Sequence, residues 1–449
     1  MDLSSRVVRM TRFLTMLAAA WPLLCVAQQT QTGMPQHLTL SDAIQQAEAN
    51  EPIFAAAVAA QRSAKIDGYL AKAALLPSVT YHNQMLYTQP SVNAAQAGLT
   101  GTQGTPIFIA NNAVHEYVSQ GMVDEKIGLK QFADAQVASA NAARATAEME
   151  IARRGLVSTV VLLYYSVSTA QEKAKLQADA LAEAQLFTSL TRKREAAREI
   201  AHADVVKAQL QMQQKQRDLS DANVAADKAR LELGVLLFPD PRTPYNTDAP
   251  DQQRNMPTHE EVNQLAAQNN PEIRSAMASM RAADAGVRSA RAAYLPNLGL
   301  NFTYGIDAPQ FAKRGPDGVH NLGYSISGTL DIPVWDWLST QKRVKQSEIQ
   351  RDAAKVNLTA TQRRLIATLE ETYAEAAAAK DQLDLLDQSV HTAEESLTLT
   401  KLRYAAGEST ALEVVDAQNS YLAAQTAQSD GLIRFETSLA ALQVLTGNL

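Results

Sequence analysis

Cysteine is almost missing from this chain: one residue, Cys25, among 449. A single thiol cannot build a disulfide framework, so the fold must hold without covalent cross-links. Aromatic residues make up only 6% of the sequence, which argues against a bulky globular core and for thin, close helical packing around alanine. Basic charge is not in excess either, since the formal net charge is −6, and such a chain is a poor nucleic-acid binder. Beyond residue 27 no apolar run approaches the roughly 20 residues of a membrane helix. If the chain enters a membrane, it does so as strands.

Recognisable catalytic chemistry is absent as well. None of the seven histidines falls in a metal-ligand spacing, and "HEE" at 259–261 lacks the second histidine of a zinc helix. There is no phosphate-binding glycine loop and no nucleophile elbow. The sequence therefore offers no catalytic, cofactor-binding or metal residues, and it does not read as an enzyme. Glu and Lys on the long helical stretches read as solvated faces and inter-helix pairs.

What is present begins with a leader. Arg6, Arg9 and Arg12 precede an apolar run from Phe13 to Val26, followed by polar "QQTQTG", the layout of a secretory signal peptide over 1–27. Cys25 lies inside it. Bulky Leu24 disfavours a lipoprotein site, so cleavage after Ala27 is the preferred reading and lipidation of Cys25 the alternative. Loss of Arg6, Arg9, Arg12 and Asp2 removes +3 and −1, taking the net charge from −6 to −8.

The remainder is written twice. Pro52 and Pro77 sit 25 residues apart, as do Pro271 and Pro296, within similar alanine-rich text. "REAAREIAHADVVKAQ" from Arg194 returns as "RYAAGESTALEVVDAQ" from Arg403, with eight of sixteen positions identical, and Tyr164 pairs with Tyr373 at the same offset. A period this long is duplication of a half-molecule rather than a solenoid repeat. The expected organisation is a first repeat at 28–236, a proline-rich polar linker at 237–259 and a second repeat at 260–449.

Each repeat reads as helix, strand, strand, long helix, shorter helix. Leu156–Leu233 and Leu338–Ala406 contain neither glycine nor proline and are rich in helix formers. Apolar residues there follow a three-four alternation, as in Leu383, Leu386, Val390, Ala393, Leu397, Thr400 and Tyr404. The spacing predicts long helices over 124–193 and 334–404, each spanning roughly 105 Å at ~1.5 Å per residue. Helices of about half that length are expected over 40–76, 202–236, 258–295 and 410–446. Two of those end to end match one long helix, which suggests a cylinder wall of antiparallel helices.

Pro77 and Pro296 are expected to stop the ascending helices and start the strands. Alternating residues after them predict strands at 78–89, 114–122, 297–306 and 320–331, with loops at 90–113 and 307–319. Four strands cannot close a membrane barrel, because open edges in lipid leave backbone groups unpaired, and the smallest such barrels use about eight strands. Several chains must pool their strands. Tyr81, Tyr87, Phe302, Tyr304, Tyr324, Trp335 and Trp337 are placed to form an aromatic girdle, the alternative being ordinary aromatics of a small soluble sheet.

At "LTLSDAIQQAEANEP" (38–52), "AALLPSV", "AAYLPNL", "LDIPVWD" (330–336) and "RYAAGESTALEVVDAQ" (403–418) the chain resembles the TolC family of outer-membrane efflux proteins. That resemblance implies a mainly α fold with a β-barrel part. In it a homotrimer closes one 12-stranded outer-membrane β-barrel, continued by a long α-helical periplasmic tunnel. It also implies a passive conduit for small molecules, metal ions or proteins. Such a duct works with a periplasmic adaptor (membrane fusion) protein and an inner-membrane transporter of RND or ABC type. No cofactor is implied, and the only other partner is outer-membrane lipid.

By the same resemblance, Arg403–Gln418 matches the family's periplasmic helical turn. Tyr404 and Gly407 fall at the turn, and Glu413 and Asp416 at the acidic aperture, where rings of them would favour cations. The plainer reading makes both acids first-turn residues favoured by the helix dipole. Arg198 replaces the glycine in the first repeat, so the two turns are expected to differ in shape. With Arg403 the only basic residue at the second turn, an easily opened aperture is expected. The competing class is an elongated exported coiled-coil stalk or adhesin-like protein, which has no use for four aromatic strands.

Overall fold

The computed structural model describes residues 36–87, 115–248, 255–308, 311–315, 318 and 320–447. The leader with Cys25, residues 90–113 of the first loop and 249–254 of the linker lie outside the described residues. The chain divides into two units. The smaller holds most of strands β1 (Gln36–Leu38) and β4 (Tyr245–Thr247), which pair as a two-stranded sheet.

The larger unit carries the same order of elements twice. First come α1 (Leu40–Asn50), α2 (Pro52–Ala73), β2 (Ser78–Tyr87), β3 (His115–Ile127), α3 (Leu129–Ala196) and α4 (His202–Leu237). Then come α5 (His259–Asn269), α6 (Pro271–Ala292), β5 (Asn297–Ala308), β6 (Leu322–Asp331), α7 (Ser339–Ala405) and α8 (Ala411–Thr446). The long helices have 68 and 67 residues, about 100 Å at ~1.5 Å per residue. Their hairpin partners α4 and α8 have 36 each.

Helix α3 packs against α2, α4, α6 and α8, and α7 against α6 and α8. The buried residues are mostly alanine, valine and leucine, with Val157, Val160, Tyr164 and Val167 on α3 and Leu383, Leu397 and Tyr404 on α7. The shorter helices meet end to end beside α3. Asn50 at the end of α1 donates to Leu237 O at the end of α4 (2.6 Å). Arg154 of α3 donates to Val444 O of α8 (2.9 Å) and Asn269 O of α5 (3.1 Å), gathering two helix C-termini under one guanidinium. Its neighbour Arg153 pairs with Glu48 of α1 at 2.7 Å.

Several expected boundaries shift. Helices expected over 40–76 and 258–295 each break in two, at Glu51 and Asn270. These residues precede proline and are extended (φ −75°, ψ 116° and φ −68°, ψ 121°), as steric conflict with the proline ring requires. The ascending helices end at Ala73 and Ala292, so Pro77 and Pro296 mark the approach to the strands rather than the helix stops. Strand β3 runs to Ile127, five residues beyond the expected 122, because its ladder with β5 continues through Val123, Glu125 and Ile127. Helix α3 therefore starts after Gly128, where a Cβ would collide with the Asn297 side chain. Helix α7 starts at Ser339 rather than 334, because Trp337 and Leu338 adopt positive φ (57° and 62°).

Candidate functional site

The sheet β2–β3–β5–β6 is antiparallel throughout, and its register sorts the side chains by polarity. One face carries Val79, Tyr81, Met85 and Tyr87 of β2, Val123 and Ile127 of β3, Leu298, Leu300, Phe302, Tyr304 and Ile306 of β5, and Leu322, Tyr324, Ile326 and Leu330 of β6. The opposite face carries Ser78, Thr80, His82, Gln84, Gln120, Asp124, Asn301, Thr303, Asp307, Ser325, Ser327, Thr329 and Asp331. A period of two along every strand, in phase across all four, makes the sheet mainly apolar on one side and mainly polar on the other, with Asn83, Ser119 and Glu125 on the first side and Leu86, Val118 and Met122 on the second as exceptions.

Tyr81, Tyr304 and Tyr324 fall in a single row across the sheet, with Gly121 between the first two. Tyr87 and Phe302 lie on the same face, whereas Trp335 and Trp337 lie past the end of β6 and stack edge to face at 5.9 Å. Of the polar groups on the apolar face, Tyr81, Ser119 and Asn83 satisfy one another, whereas Glu125, opposite Leu300, keeps a buried carboxylate oxygen without a hydrogen-bond partner. Tyr81 Oη lies 2.8 Å from Ser119 Oγ, which donates to Asn83 Oδ1 at 2.8 Å. Most of the apolar side chains are exposed, and among the described residues β2 and β6 each have one unpaired edge. Such a sheet has neither its faces nor its edges completed within one chain.

At the far end of the helices lie two turns. Both have the same hydrogen bonds, residue for residue: Ala197, Arg198 and Glu199 N–H donate to Lys193, Glu195 and Arg194 O, as Ala406, Gly407 and Glu408 do to Leu402, Tyr404 and Arg403 O. Arg198 and Gly407 both adopt the left-handed conformation, φ 63° and 80°. The expected difference in turn shape is thus overturned: arginine accepts the glycine geometry, at a cost of about 1–2 kcal/mol, because the hydrogen bonds dictate it. The turns differ instead in how the next helix begins. Thr410 and Glu413 form a capping box before α8, whereas Ala201 gives α4 no side-chain cap.

Tyr404 is 4% exposed, packed with Phe187, Ala208, Ala411, Val414 and Val415. Its ring lies 5.2 Å from Phe187 and 4.9 Å from the Arg194 guanidinium carbon. Burial pushes its phenol above the ordinary tyrosine value, against the opposing Arg194 charge. Glu413 is exposed, and its Oε1 accepts from Thr410 N and Oγ1, both at 3.1 Å. Those bonds, with a smaller contribution from Arg403, hold its carboxyl below the usual glutamate range. Asp416, one turn on, is also exposed. Among the described residues no cluster of His, Cys, Asp and Glu could hold a metal ion.

Arg194 is the residue that sequence reasoning missed. From the last turn of α3 it donates to Tyr404 O (2.8 Å) and Glu199 Oε2 (3.0 Å), tying the first turn to the second. Lys401 of α7 pairs with Glu183 of α3, and Gln211 of α4 donates to Asn419 of α8 (2.8 Å). The second turn is therefore held by more than Arg403. The sequence carried a signal for it: Arg194 occupies the position of Arg403 in the duplicated motif.

Comparison with known proteins places this geometry. A family model described as "Outer membrane efflux protein" matches residues 262–448. The chain is similar to the pyoverdine export outer membrane protein OpmQ of Pseudomonas aeruginosa, 26% identical over 92% of this chain and 86% of that one. It is similar to the outer membrane protein TolC of Vibrio cholerae, 30% identical over 42% of this chain and 41% of that one. Among solved structures, the outer membrane protein VceC of Vibrio cholerae shares the fold, with a TM-score of 0.76 at 18% identity over 91% of this chain and 96% of that one.

Proposed function

We propose that the chain is a member of the TolC family of outer-membrane efflux proteins and that it is the outer-membrane exit duct of an efflux or type I secretion system. Three copies close one 12-stranded barrel by joining the free edge of β2 in one copy to the free edge of β6 in the next. The apolar sheet faces meet lipid, with the tyrosine rows and Trp335 and Trp337 as the aromatic girdle. The polar faces line the lumen. Helices α3, α4, α7 and α8 continue that lumen into the periplasm, and the turns at 197–201 and 406–410 surround its inner aperture.

The observation that carries this reading is the amphipathic sheet with two open edges at one end of ~100 Å helices. A soluble stalk would leave that apolar face in water, where contiguous apolar surface of this size is not tolerated. The duct supplies no energy; an inner-membrane transporter does, joined to it through a periplasmic adaptor. Glu413 and Asp416, repeated three times around the aperture, favour cations there. Arg194, Lys401 and the Gln211–Asn419 bond keep the two hairpins of each copy together at rest. The two repeats, 28–236 and 260–449 about the linker at 237–259, give the trimer its approximate six-fold wall. The test is the native mass of protein extracted from an outer-membrane fraction: three chains support the duct, and a soluble monomer overturns it.

A further inference from the structure

One junction between sheet and helix is built unlike its counterpart in the other repeat. Strand β3 passes to α3 through Gly128 alone, whereas β6 passes to α7 through residues 332–338, "IPVWDWL". Within this strap Trp337 and Leu338 are both left-handed. Successive left-handed L-residues cost about 1–2 kcal/mol each, so this conformation needs support. Asp336 supplies some of it: its Oδ2 accepts from Thr340 N at 2.7 Å and its carbonyl from Ser339 N at 3.1 Å.

The result is display. Trp335 is 67% exposed and Trp337 85%, with Ile332, Val334 and Leu338 exposed beside them. The strap is continuous with the apolar sheet face, whose last row is Ile127, Leu298 and Leu330. The helix after it, from Ser339, carries Lys342, Arg343 and Lys345 within its first two turns and has no acid in the first. Cations at a helix N-terminus oppose the helix dipole, so they do not serve α7 itself. Among the described residues Lys342 and Arg343 make no ion pair. Arg343 lies near Asp336, and Lys345 reaches Glu348 only at 3.9 Å.

We propose that the strap and the first two turns of α7 form a binding site for anionic phospholipid headgroups in the periplasmic leaflet. Trp335 and Trp337 occupy the interfacial layer, and Lys342, Arg343 and Lys345 meet the phosphates. This rests on the outer-membrane reading and adds to it a lipid class and a location. It commits to lipid rather than a second copy of the chain because the apolar strap extends the lipid-facing side of the sheet and stands directly before Lys342 and Arg343, which make no ion pair among the described residues.

The protein offers its own probe. Its three tryptophans are Trp21, Trp335 and Trp337, so in full-length Trp21→Phe protein all tryptophan emission comes from the strap. The trimer is reconstituted in vesicles of phosphatidylcholine containing a minor fraction of phosphatidylglycerol. A headgroup-proximal quencher is carried first on one lipid and then on the other. The expected result is quenching by both, stronger from labelled phosphatidylglycerol than its mole fraction predicts. Lys342→Gln, Arg343→Gln and Lys345→Gln should each lower that preference about fivefold at low salt while leaving quenching by phosphatidylcholine in place. Two results overturn the site: no quenching, which means protein covers the strap, or quenching in proportion to mole fraction. A heat-resistant β signal measured on the same vesicles separates these from loss of the barrel itself, which would remove both the duct and the site.

Discussion

Replacing Arg194 with alanine should loosen the join between the two helical turns, and the structure allows the size of the effect to be worked out. Three contacts are lost: the bond to Tyr404 O at 2.8 Å, the pair with Glu199 at 3.0 Å and the contact with the Tyr404 ring at 4.9 Å. A hydrogen bond from a charged donor contributes roughly 1.5–3 kcal/mol, and a cation–π contact at a partly exposed site about 0.5–1 kcal/mol. The pair with Glu199 adds at most about 1 kcal/mol, since Glu199 is 54% exposed. Water reaching the freed carbonyl offsets part of this, because the Arg194 side chain is itself 19% exposed. About 2 kcal/mol per chain remains, a shift of roughly 30-fold in the local closed-to-open ratio. Single-channel recording in planar bilayers should show Arg194→Ala open far more often than the wild type. Arg194→Lys should fall between, because an ammonium can reach the carbonyl but lacks the separate Nε–H that holds Glu199. An Arg194→Ala channel with wild-type open probability would refute the reasoning and show that closure lies elsewhere.

Other expectations rest on the same contacts. Tyr404→Ala should destabilise the tip by about 3–5 kcal/mol by emptying a packed site, against well under 1 kcal/mol for Tyr404→Phe, as read by amide exchange in the turns. Arg198→Gly should protect the first turn by about 1 kcal/mol, since glycine adopts its left-handed conformation without strain. Thr410→Ala should cost about 1 kcal/mol in the first turn of α8. The folded carboxyl of Glu413 titrates below its ordinary value, so its contribution is present above the ordinary glutamate pKa and is lost as pH falls through the depressed value. Amide protection there should decline on acidification in the wild type and show no such step in Thr410→Ala. Neutralising Glu413 and Asp416 together should reduce cation preference in reversal-potential measurements, and unchanged selectivity would remove them from the aperture. Ile326→Arg on the apolar face should impede barrel assembly, at about 2–4 kcal/mol in mid-bilayer, whereas Ser325→Arg on the polar face should be tolerated.

Long helices were the most legible part of the sequence. Their patterns run for dozens of residues without glycine or proline, and the packing that buries Val160, Tyr164, Leu383 and Tyr404 is the one that the three-four spacing describes. Boundaries were less legible because tertiary pairing decided them. "DEKI" at 124–127 has helical composition, but the ladder to β5 holds it as strand. Pro52 and Pro271 were visible, yet whether a proline sits inside a helix or begins one depends on the preceding residue, which here is extended and caps the next helix. The polarity of the sheet faces required the register, which no single strand encodes.

At the turns, residue type misled. Arg198 in place of glycine suggested a different shape, but one left-handed residue costs less than the three hydrogen bonds that need it. Arg194 is not legible as a tie from the motif alone, because its role depends on contact between the two copies. Its partners, Tyr404 O and Glu199, lie 210 and 5 residues away, and only the fold brings the more distant one into reach.

The central claim is that the open edges of β2 and β6 close against each other between three chains. In protein with Cys25→Ser, a cysteine at Thr80 on β2 can be combined in turn with cysteines at Ser325, Ser327 and Thr329 on β6, all on the polar face. Mild oxidation of outer-membrane fractions should give covalent dimers and trimers, strongest for the one β6 position that faces Thr80 across the inter-chain edge. Monomers alone at every pairing, with the protein in the soluble fraction, would contradict the shared barrel.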